Sequence, residues 1–495
     1  MAVMAAVDLG AQSGRVAVGR FDGSCLTVSE SYRFANEPLE SAGTLRWDID
    51  RLRRDVLDGL RAAARDTTID SVAVDSWAVD FGLLDSTGRL IESPVHYRDS
   101  RRASAPPDLF AHVPARELYD RTGIQLLPIN TVFELAAMAA EHDPALAAAD
   151  ALLLIPDLFH HWLCGSRTSE FTNATTTQCL DAASGDWASD LLERLDIPAR
   201  LFPEVVPPGT LLGPVTPETA DATGLGTATV VATATHDTAS AVAAIPFDRP
   251  GSIFLSIGTW SLVGVEVERP LINDATFVAN LTNEGGVGGT YRLLRNITGL
   301  WLLHECRRSW GEQGHEHSFE ELVALARTAS PLRSFVDPNA DVFLEPGDMP
   351  GRIRAFCKET RQPGPSSVGE TVRCVLESLA LKHADTIDVL RRVTGTDPTV
   401  IHIVGGGARN ELLCAWTAQA AGLPVLAGPE EATVLGNLLV QAMALGEIAS
   451  LDEARAVVHA SFAPARFEPK GSADWREARE RFAQLCDEPA VEVRA

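Results

Sequence analysis

With 495 residues, the chain is too long for a single hydrophobic core, so at least two domains are expected. Its net charge of −25, from 42 basic and 67 acidic residues, argues against nucleic acid or an anionic membrane as the main partner, although backbone amides and a metal can still bind a nucleotide. The eight cysteines form no CxxC pair and the N-terminus is typical of a strand rather than of a signal peptide, so we expect a reduced, cytoplasmic protein without a membrane-spanning segment.

The chain opens with two predicted strands joined by a polar turn that contains two glycines. Residues 3–9 are apolar apart from Asp8, and residues 16–21 form the next strand. Backbone amides of the turn at 10–15 can bind a phosphate, and Asp8 at the strand end can hold Mg²⁺ through water. Arg15 can add a charged donor. A plain hairpin with a polar turn explains the same pattern, so both interpretations stay open.

A helix at 50–64 and a buried strand at 69–75 are predicted next, followed by a polar run at 94–102. This run concentrates a tyrosine, three arginines and an aspartate within nine residues. Paired charged side chains of this kind suit polyol binding, while a solvated loop explains the run equally well. Further helices are predicted at 131–142 and 152–163.

A second polar step lies about halfway along the chain. The apolar, β-branched run at 230–234 predicts a buried strand, and it ends in His236-Asp237-Thr238 before a series of small residues with helical spacing. In open α/β sheets, ligands bind where strands end and helices begin. Asp237 is therefore a candidate general base between two domains. The alternative is a helix N-cap, because capping is a commoner reason for an aspartate at such a step.

The second half repeats the design of the first. Residues 252–261 contain an apolar strand and a glycine turn with hydroxyl side chains, and strands are predicted at 262–267 and 291–296. A long helix at 368–393 precedes a strand at 400–404 that ends in three glycines. Because each half has three strands, a long helix, another strand and a glycine step, we predict a duplicated α/β fold with a cleft between the halves.

Four segments, taken in order, resemble the motifs of one enzyme family. They are Asp8-Leu9-Gly10-Ala11 for a first phosphate motif, Thr235-His236-Asp237-Thr238 for the catalytic aspartate, Ser256-Ile257-Gly258-Thr259 for a second phosphate motif, and Val404-Gly405-Gly406-Gly407 with Asn410 for an adenosine motif. Across nearly its whole length the chain thus resembles the FGGY carbohydrate kinases. The resemblance implies an α/β fold of two actin-like (ribonuclease-H-like) ATPase domains with a cleft between them. The sugar-binding and catalytic domain would span 1–244, and the nucleotide-binding domain 245–495.

The resemblance also implies a reaction. The γ-phosphate of ATP would be transferred, with Mg²⁺, to the 1-hydroxyl of a ketose, and stretches such as 97–101 and 296–301 are similar to those of family members that act on L-rhamnulose. L-Fuculose or a pentulose is the alternative substrate, and an actin-like ATPase without a sugar substrate is the remote alternative. The expected partners are therefore a small ketose and MgATP, in a monomer or a homodimer.

Roles for individual residues follow from the same resemblance. Asp237 would accept the proton of the attacking hydroxyl, and Asp8 would hold Mg²⁺ through water. The residues implied in sugar binding are Ala78, Asp80, Arg98, His236, Asp237, Thr238 and Asn296. The residues implied in ATP binding are Ala11, Gln12, Ser13, Gly14, Arg15, Thr259, His304, Gly405, Gly406, Gly407 and Asn410. Relatives usually carry glycine where this chain has Ala78, so the added methyl group is expected to influence the ketose preference.

Overall fold

The computed structural model describes residues 2–41, 43–247, 251–471 and 473–486, which form two large mixed β-sheets with helices packed against them. The strands are β1 (Ala2–Leu9), β2 (Ser13–Phe21), β3 (Leu26–Ala35), β4 (Pro38–Ser41), β5 (Thr44–Trp47), β6 (Ser71–Ser76), β7 (Phe81–Leu84), β8 (Ala151–Leu154), β9 (Thr168–Glu170), β10 (Glu204–Val206), β11 (Thr210–Pro214), β12 (Thr229–Ala232), β13 (Ile253–Ile257), β14 (Trp260–Val267), β15 (Thr282–Gly285), β16 (Tyr291–Thr298), β17 (Ile401–Val404), β18 (Val425–Ala427) and β19 (Ala465–Phe467). The α-helices are α1 (Ile49–Ala63), α2 (Arg101–Ser104), α3 (Pro106–His112), α4 (Ala115–Thr122), α5 (Thr131–Ala140), α6 (Pro144–Ala148), α7 (Ile155–Cys164), α8 (Phe171–Ala174), α9 (Ser189–Arg194), α10 (Pro217–Thr223), α11 (Asp237–Ala243), α12 (Asp274–Val278), α13 (Trp301–Glu312), α14 (Phe319–Thr328), α15 (Met349–Glu359), α16 (Val368–Thr394), α17 (Glu411–Ala421), α18 (Ala432–Ala444), α19 (Leu451–Ser461) and α20 (Ala473–Leu485).

The first sheet has the order β11-β12-β6-β1-β2-β3. The central strand β1 is antiparallel to β2 and parallel to β6, and its register places Asp8 beside Asp75. Strand β12 runs parallel to β6 on the other side. The carboxyl ends of these three parallel strands therefore meet at one edge of the sheet, which collects Asp8, Asp75 and the segment that leads to Asp237.

The second sheet repeats this central arrangement, with the order β15-β16-β14-β13-β17-β18-β19. Strand β13 takes the place of β1: it is antiparallel to β14 and parallel to β17, and β18 then runs parallel to β17. The long helix α16 buries one face against this sheet. The duplicated α/β architecture predicted from the sequence is confirmed.

Helices α11 and α18 pack against each other in an apolar layer shared by the two sheets. The layer contains Met4 and Phe21 from the first sheet, Phe254 from the second, and Val242 of α11. Where the two helices cross, a Cβ added at Gly436 of α18 would lie only 1.7 Å from the carbonyl oxygen of Ser240 in α11. Glycine at this position therefore allows the close approach of the two helices.

Helix α18 also satisfies buried polar groups of the first sheet, although it comes from the second half of the chain. Asn437 Nδ2 donates to Asp75 Oδ2 at 2.5 Å, and Gln441 Nε2 donates to the carbonyl oxygen of Ala5 at 3.0 Å. Ser71 Oγ donates to Gln441 Oε1 at 2.7 Å. Because buried polar groups need partners, this contact fixes both the position and the rotation of α18 on the sheet.

One predicted element is wrong in part. Residues 152–154 belong to strand β8, which pairs antiparallel with β7, and helix α7 begins only at Ile155. A continuous apolar run fits a buried strand as well as a helix, whereas Pro156 suits the first turn of a helix and marks the true start. No helix among the described residues is long and apolar enough to span a bilayer.

Candidate active site

A cavity of about 730 Å³ lies between the two halves and is lined by residues of both. The glycine turn after β1, the turn between β13 and β14 and the glycine step after β17 all reach it. Most of the residues predicted to bind a ligand line its wall: Asp8, Ala11, Gln12, Ser13, Arg15, Ala78, His236, Asp237, Thr238, Thr259, Asn296, His304, Gly405, Gly406, Gly407 and Asn410. The structure thus brings these residues together, while their individual roles stay predictions.

Asp80 does not line the cavity. Its carboxylate is fully buried and accepts hydrogen bonds from Trp47 Nε1 at 2.6 Å, Trp77 Nε1 at 3.0 Å and Arg102 Nη2 at 2.8 Å. Burial raises its pKa to about 6, although Arg102 acts in the opposite direction. These partners occupy both carboxylate oxygens, so Asp80 holds the wall residue Trp77 from behind instead of facing a ligand.

The turn at residues 78–80 presents Ala78 to the cavity in a strained conformation. Val79 has a φ of 69°, which is rare for a β-branched residue, and the amide of Asp80 donates to the carbonyl oxygen of Ala78 at 3.0 Å. Thr131 Oγ1 donates to the carbonyl oxygen of Val79 at 2.7 Å. A strained turn persists only where surrounding residues hold it in place. The turn at 78–80 is held in this way, and it therefore fixes the position of the Ala78 methyl group.

Arg98 and Gly14 also lie outside the cavity wall. The Arg98 guanidinium stacks on Trp301, 3.9 Å from the ring centroid, and lies 5.1 Å from the Trp260 ring centroid. Its Nη1 donates to the carbonyl oxygen of Leu344 at 2.7 Å. Arg98 therefore joins the first half of the chain to aromatic residues of the second through a cation–π contact.

Gly14 lies in β2, where a Cβ would come within 2.3 Å of the Phe34 ring. Its missing side chain makes room for strand packing. Of the neighbouring predicted phosphate ligands, Arg15 is already engaged, because Nε donates to Asp8 Oδ2 at 2.9 Å and Nη1 contacts Glu431. A phosphate at this turn would compete with these two carboxylates for the guanidinium.

Asp237 is the first residue of α11 and does not cap it. In the first turn of the helix, the amides of Ala239 and Ser240 donate to the carbonyl oxygen of His236 and not to the Asp237 side chain. The Asp237 side chain accepts a hydrogen bond from Thr238 Oγ1 at 3.0 Å and keeps 31% exposure. Burial of the site raises its pKa, His236 opposes this shift and the nearby Asp8 adds to it. The carboxylate is thus open to the cavity and has a raised proton affinity, which suits a general base.

Two further carboxylates lie near Asp237. Asp8 lines the cavity, and its neighbour Asp75 lies behind it at the end of β6. Burial, with the charge of Asp8, raises the pKa of Asp75 well above its ordinary range, and Asp75 Oδ1 accepts no hydrogen bond from the described residues. Mg²⁺ usually binds through one or two carboxylates together with water and phosphate oxygens, so the Asp8 carboxylate at the cavity wall fits the predicted metal.

His236 is oriented by residues that the sequence reasoning did not single out. Arg292 Nη2 donates to His236 Nδ1 at 3.0 Å. On the other side of the ring, His236 Nε2 lies 3.4 Å from Asp237 Oδ1. Glu284 Oε2 lies 3.2 Å from the same Arg292 nitrogen. The sequence signal that could have revealed Glu284 is a carboxylate inside the motif Asn283-Glu284-Gly285-Gly286.

The loop that carries His236 rests on a buried glutamate. Glu170 Oε2 accepts hydrogen bonds from the amide of Thr235 at 2.9 Å and from Thr235 Oγ1 at 2.8 Å, and its carboxylate also bonds Thr172. The amide of His236 donates to Thr172 Oγ1 at 3.2 Å. Burial raises the pKa of Glu170 to about 7. These bonds hold the segment before α11 in a single position.

Comparison with known proteins assigns nearly the whole chain to one protein family. The family model described as "FGGY family of carbohydrate kinases, N-terminal domain" matches residues 3–244, and that of the C-terminal domain matches residues 253–445. A rhamnulokinase of Bacteroides thetaiotaomicron is 41% identical over 478 residues, covering 96% of this chain and 98% of the relative. A rhamnulokinase of Enterobacter sp. (strain 638) is 40% identical over 484 residues, covering 97% of each.

Solved structures show the same fold at lower identity. The ligand-bound xylulose kinase of Lactobacillus acidophilus superimposes with a TM-score of 0.79 at 16% identity, covering 98% of this chain and 97% of the other. The glycerol kinase of Plasmodium falciparum with ADP gives a TM-score of 0.77 at 15% identity, covering 97% and 98%. These similarities confirm the predicted two-domain α/β architecture.

Proposed function

The chain belongs to the FGGY family of carbohydrate kinases, and on that basis we propose that it transfers the γ-phosphate of ATP to the 1-hydroxyl of L-rhamnulose, giving L-rhamnulose 1-phosphate and ADP. The observation that carries the phosphoryl transfer is the position of Asp237: its carboxylate opens into the same cavity as the phosphate turns of both halves. The choice of ketose is supported by the two rhamnulokinases, which match this chain over nearly its whole length at 40–41% identity.

In this reaction Asp237 accepts the proton of the attacking hydroxyl. Its raised pKa favours proton transfer, and His236, whose Nε2 lies 3.4 Å from Asp237 Oδ1, orients the carboxylate. Thr259 and the turn at residues 11–13 face the phosphates, and the three glycines at 405–407 let the nucleoside approach the backbone closely. Bound at Asp8, Mg²⁺ would neutralise charge on the phosphate oxygens. We propose Mg²⁺ as the metal because the donor group at the cavity wall, Asp8, is a carboxylate.

The composition of the cavity near Asp237 supports a 6-deoxy ketose. Trp77, Ala78 and Tyr97 give an apolar surface that can contact the terminal methyl group of the sugar. Gln125 and Asn296 line the same region with polar groups that can bond hydroxyls. Ala78 is also the observation that keeps a second ketose, such as L-fuculose or a pentulose, in consideration, because its methyl group narrows the wall where relatives usually carry glycine.

We further propose that the protein works in the cytoplasm, since its eight cysteines are scattered along the chain and form no CxxC pair. The expectation of a monomer or homodimer, and the domain boundary between residues 244 and 245, stay predictions. Helix α11 ends at Ala243 and β13 begins at Ile253, so the proposed boundary lies in the connection between them.

The test is ADP release by the purified protein with a panel of L-rhamnulose, L-fuculose, D-xylulose and glycerol. L-Rhamnulose is expected to give the highest kcat/KM, and ATP turnover without sugar should be slow. A higher kcat/KM for D-xylulose or glycerol would refute the substrate while keeping the kinase. Rapid ATP hydrolysis that is independent of any sugar would favour the ATPase alternative.

A further inference from the structure

We propose that Glu284 is a further sugar-binding residue, whose carboxylate accepts a hydrogen bond from a ketose hydroxyl other than the one that is phosphorylated. The inference rests on the proposed function, because it assigns part of the specificity of the same cavity. It adds a negatively charged acceptor to the sugar site, in a place where the sequence reasoning implied no substrate contact.

The position of Glu284 is suited to this role. It lies in β15 of the second sheet, its side chain is buried, and it nevertheless lines the cavity. His236 Nδ1 is 3.3 Å from Glu284 Oε2, while His236 Nε2 is on the side of Asp237. The imidazole ring thus separates Glu284 from the base, so a ketose whose reacting hydroxyl is at Asp237 would bring a hydroxyl further along its chain to Glu284.

The hydrogen bonds of Glu284 leave acceptor capacity free. Oε1 accepts one long hydrogen bond, at 3.5 Å, from Asn296 Nδ2. Oε2 is buried and pairs with Arg292 Nη2 at 3.2 Å, so the acceptor capacity that remains is on Oε1. An ionised carboxylate has about four acceptor sites, and a buried acceptor without a donor is costly. A sugar hydroxyl that donates to Oε1 would give this weakly bonded acceptor a second donor on binding.

The charge on Glu284 is maintained by its neighbours. Although burial acts in the opposite direction, Arg292 and His236 hold the pKa of Glu284 below its ordinary value. Glu284 is therefore ionised and can only accept hydrogen bonds. A site with such an acceptor discriminates strongly against a substrate that lacks the matching hydroxyl, because the carboxylate is then left without its donor. The wall residues Trp77, Ala78 and Tyr97 carry no charged acceptor.

The experiment compares two variants with a matched control. Glu284→Gln removes the charge, and Glu284→Asp keeps the charge beside Arg292 but withdraws the carboxylate by one methylene group. The control, Glu377→Gln, alters another buried carboxylate that is paired with an arginine, Arg373 at 2.7 Å, but that lies outside the cavity wall. Each protein is assayed with L-rhamnulose and with its 3-, 4- and 5-deoxy analogues, and ketose binding is measured separately by calorimetry.

The expected result is a loss of about 10- to 100-fold in kcat/KM for L-rhamnulose in both Glu284 variants, the range of a hydrogen bond to a charged group. The KM for MgATP should change less than about threefold, and Glu377→Gln should keep the wild-type preference. One deoxy analogue lacks the hydroxyl that binds Glu284. With that analogue, wild type and Glu284→Asp should have equally low kcat/KM, because the residue and its hydroxyl act as a pair. Purely additive losses for every analogue would overturn the proposal, even if both variants were less stable.

Failure of the proposed function gives a different result. If the wild-type protein phosphorylates another ketose, the same cycle is run with the deoxy analogues of that sugar, and pairing with one hydroxyl still supports the role of Glu284. If calorimetry shows that Glu284→Asp binds the preferred ketose as tightly as wild type does, the assignment is refuted, whatever the identity of that ketose.

Discussion

Substitution of Gly436 by alanine tests whether the packing of α18 positions the catalytic helix. Gly436 is buried at the crossing of α18 and α11, and a Cβ at this position would lie 1.7 Å from the carbonyl oxygen of Ser240. Ser240 and Asp237 belong to the same short helix, so a displacement at one moves the other. We expect Gly436→Ala to lower both the free energy of unfolding and the activity.

The size of the effect follows from the distance. Contacts of a Cβ are essentially never shorter than 3.0 Å, so the Ser240 carbonyl must recede from 1.7 Å by about 1.3 Å or more. Overpacking of this kind costs about 1–3 kcal/mol, which equals or exceeds the gain of about 1 kcal/mol for replacing glycine by alanine in a helix. A misplacement of about 1 Å at a reacting group costs about 100-fold in rate, so kcat should fall by at least this factor.

The assay combines denaturant unfolding of the full chain with ketose-dependent ADP release. The matched control is Gly311→Ala in α13, where an added Cβ meets nothing within 4 Å, and this variant should be as active as wild type and slightly more stable. If Gly436→Ala were as stable and as active as Gly311→Ala, the contact between α18 and α11 would not position Asp237, and the reasoning would be refuted.

The remaining predictions concern the cavity. Asp237→Asn should lower kcat by about 10²- to 10⁴-fold with an unchanged Tm, because the amide cannot accept the proton; a normal kcat would remove Asp237 from the reaction. Because burial raises the pKa of Asp237, kcat/KM of the wild type should fall as the pH drops through this raised value, and an acidic limb at the pH of an ordinary aspartate would contradict the assignment. Asp8→Ala should raise the KM for MgATP and the Mg²⁺ requirement more than the Kd for the ketose; calorimetry showing the reverse order would exclude a metal role for Asp8. Ala78→Gly should change the ratio of kcat/KM for L-rhamnulose over L-fuculose while activity persists, and an identical ratio would show that the methyl group does not contact the sugar.

Much of the fold and most of the cavity wall could be predicted because they depend on short segments. The apolar runs before Asp8 and Asp237 gave buried strands, and the polar residues after them reached the cavity because parallel strands end at one edge. Both helices and strands were predicted with small errors at their ends. The error at residues 152–154 has the same origin, since an apolar run alone does not distinguish a strand from a helix until its pairing partner is known.

The residues that could not be assigned depend on contacts between distant segments. Arg98 belongs to a polar run that is typical of polyol binding, but its stacking on Trp301 depends on how the two halves of the chain face each other. Asp80 is buried against Trp47 and Arg102, which are distant from it in the sequence. Glu284 is far from Asp237 in the sequence, and its place in the cavity wall beside His236 and Arg292 becomes visible only in the fold.

The polar and apolar contacts of α18 with the first sheet also determine when this protein can finish folding during its synthesis. The ribosome completes strands β1 and β2 first, whereas the helix that covers them, with Asn437 and Gln441, is translated close to the end of the chain. Until then the nascent chain carries an uncovered apolar surface that includes Met4 and Phe21. Such surfaces make incomplete chains prone to aggregate, so the first half is expected to need chaperones and to be unstable as a fragment. Chains whose translation stops before α18 would therefore be degraded by proteases, and they would have no enzymatic activity.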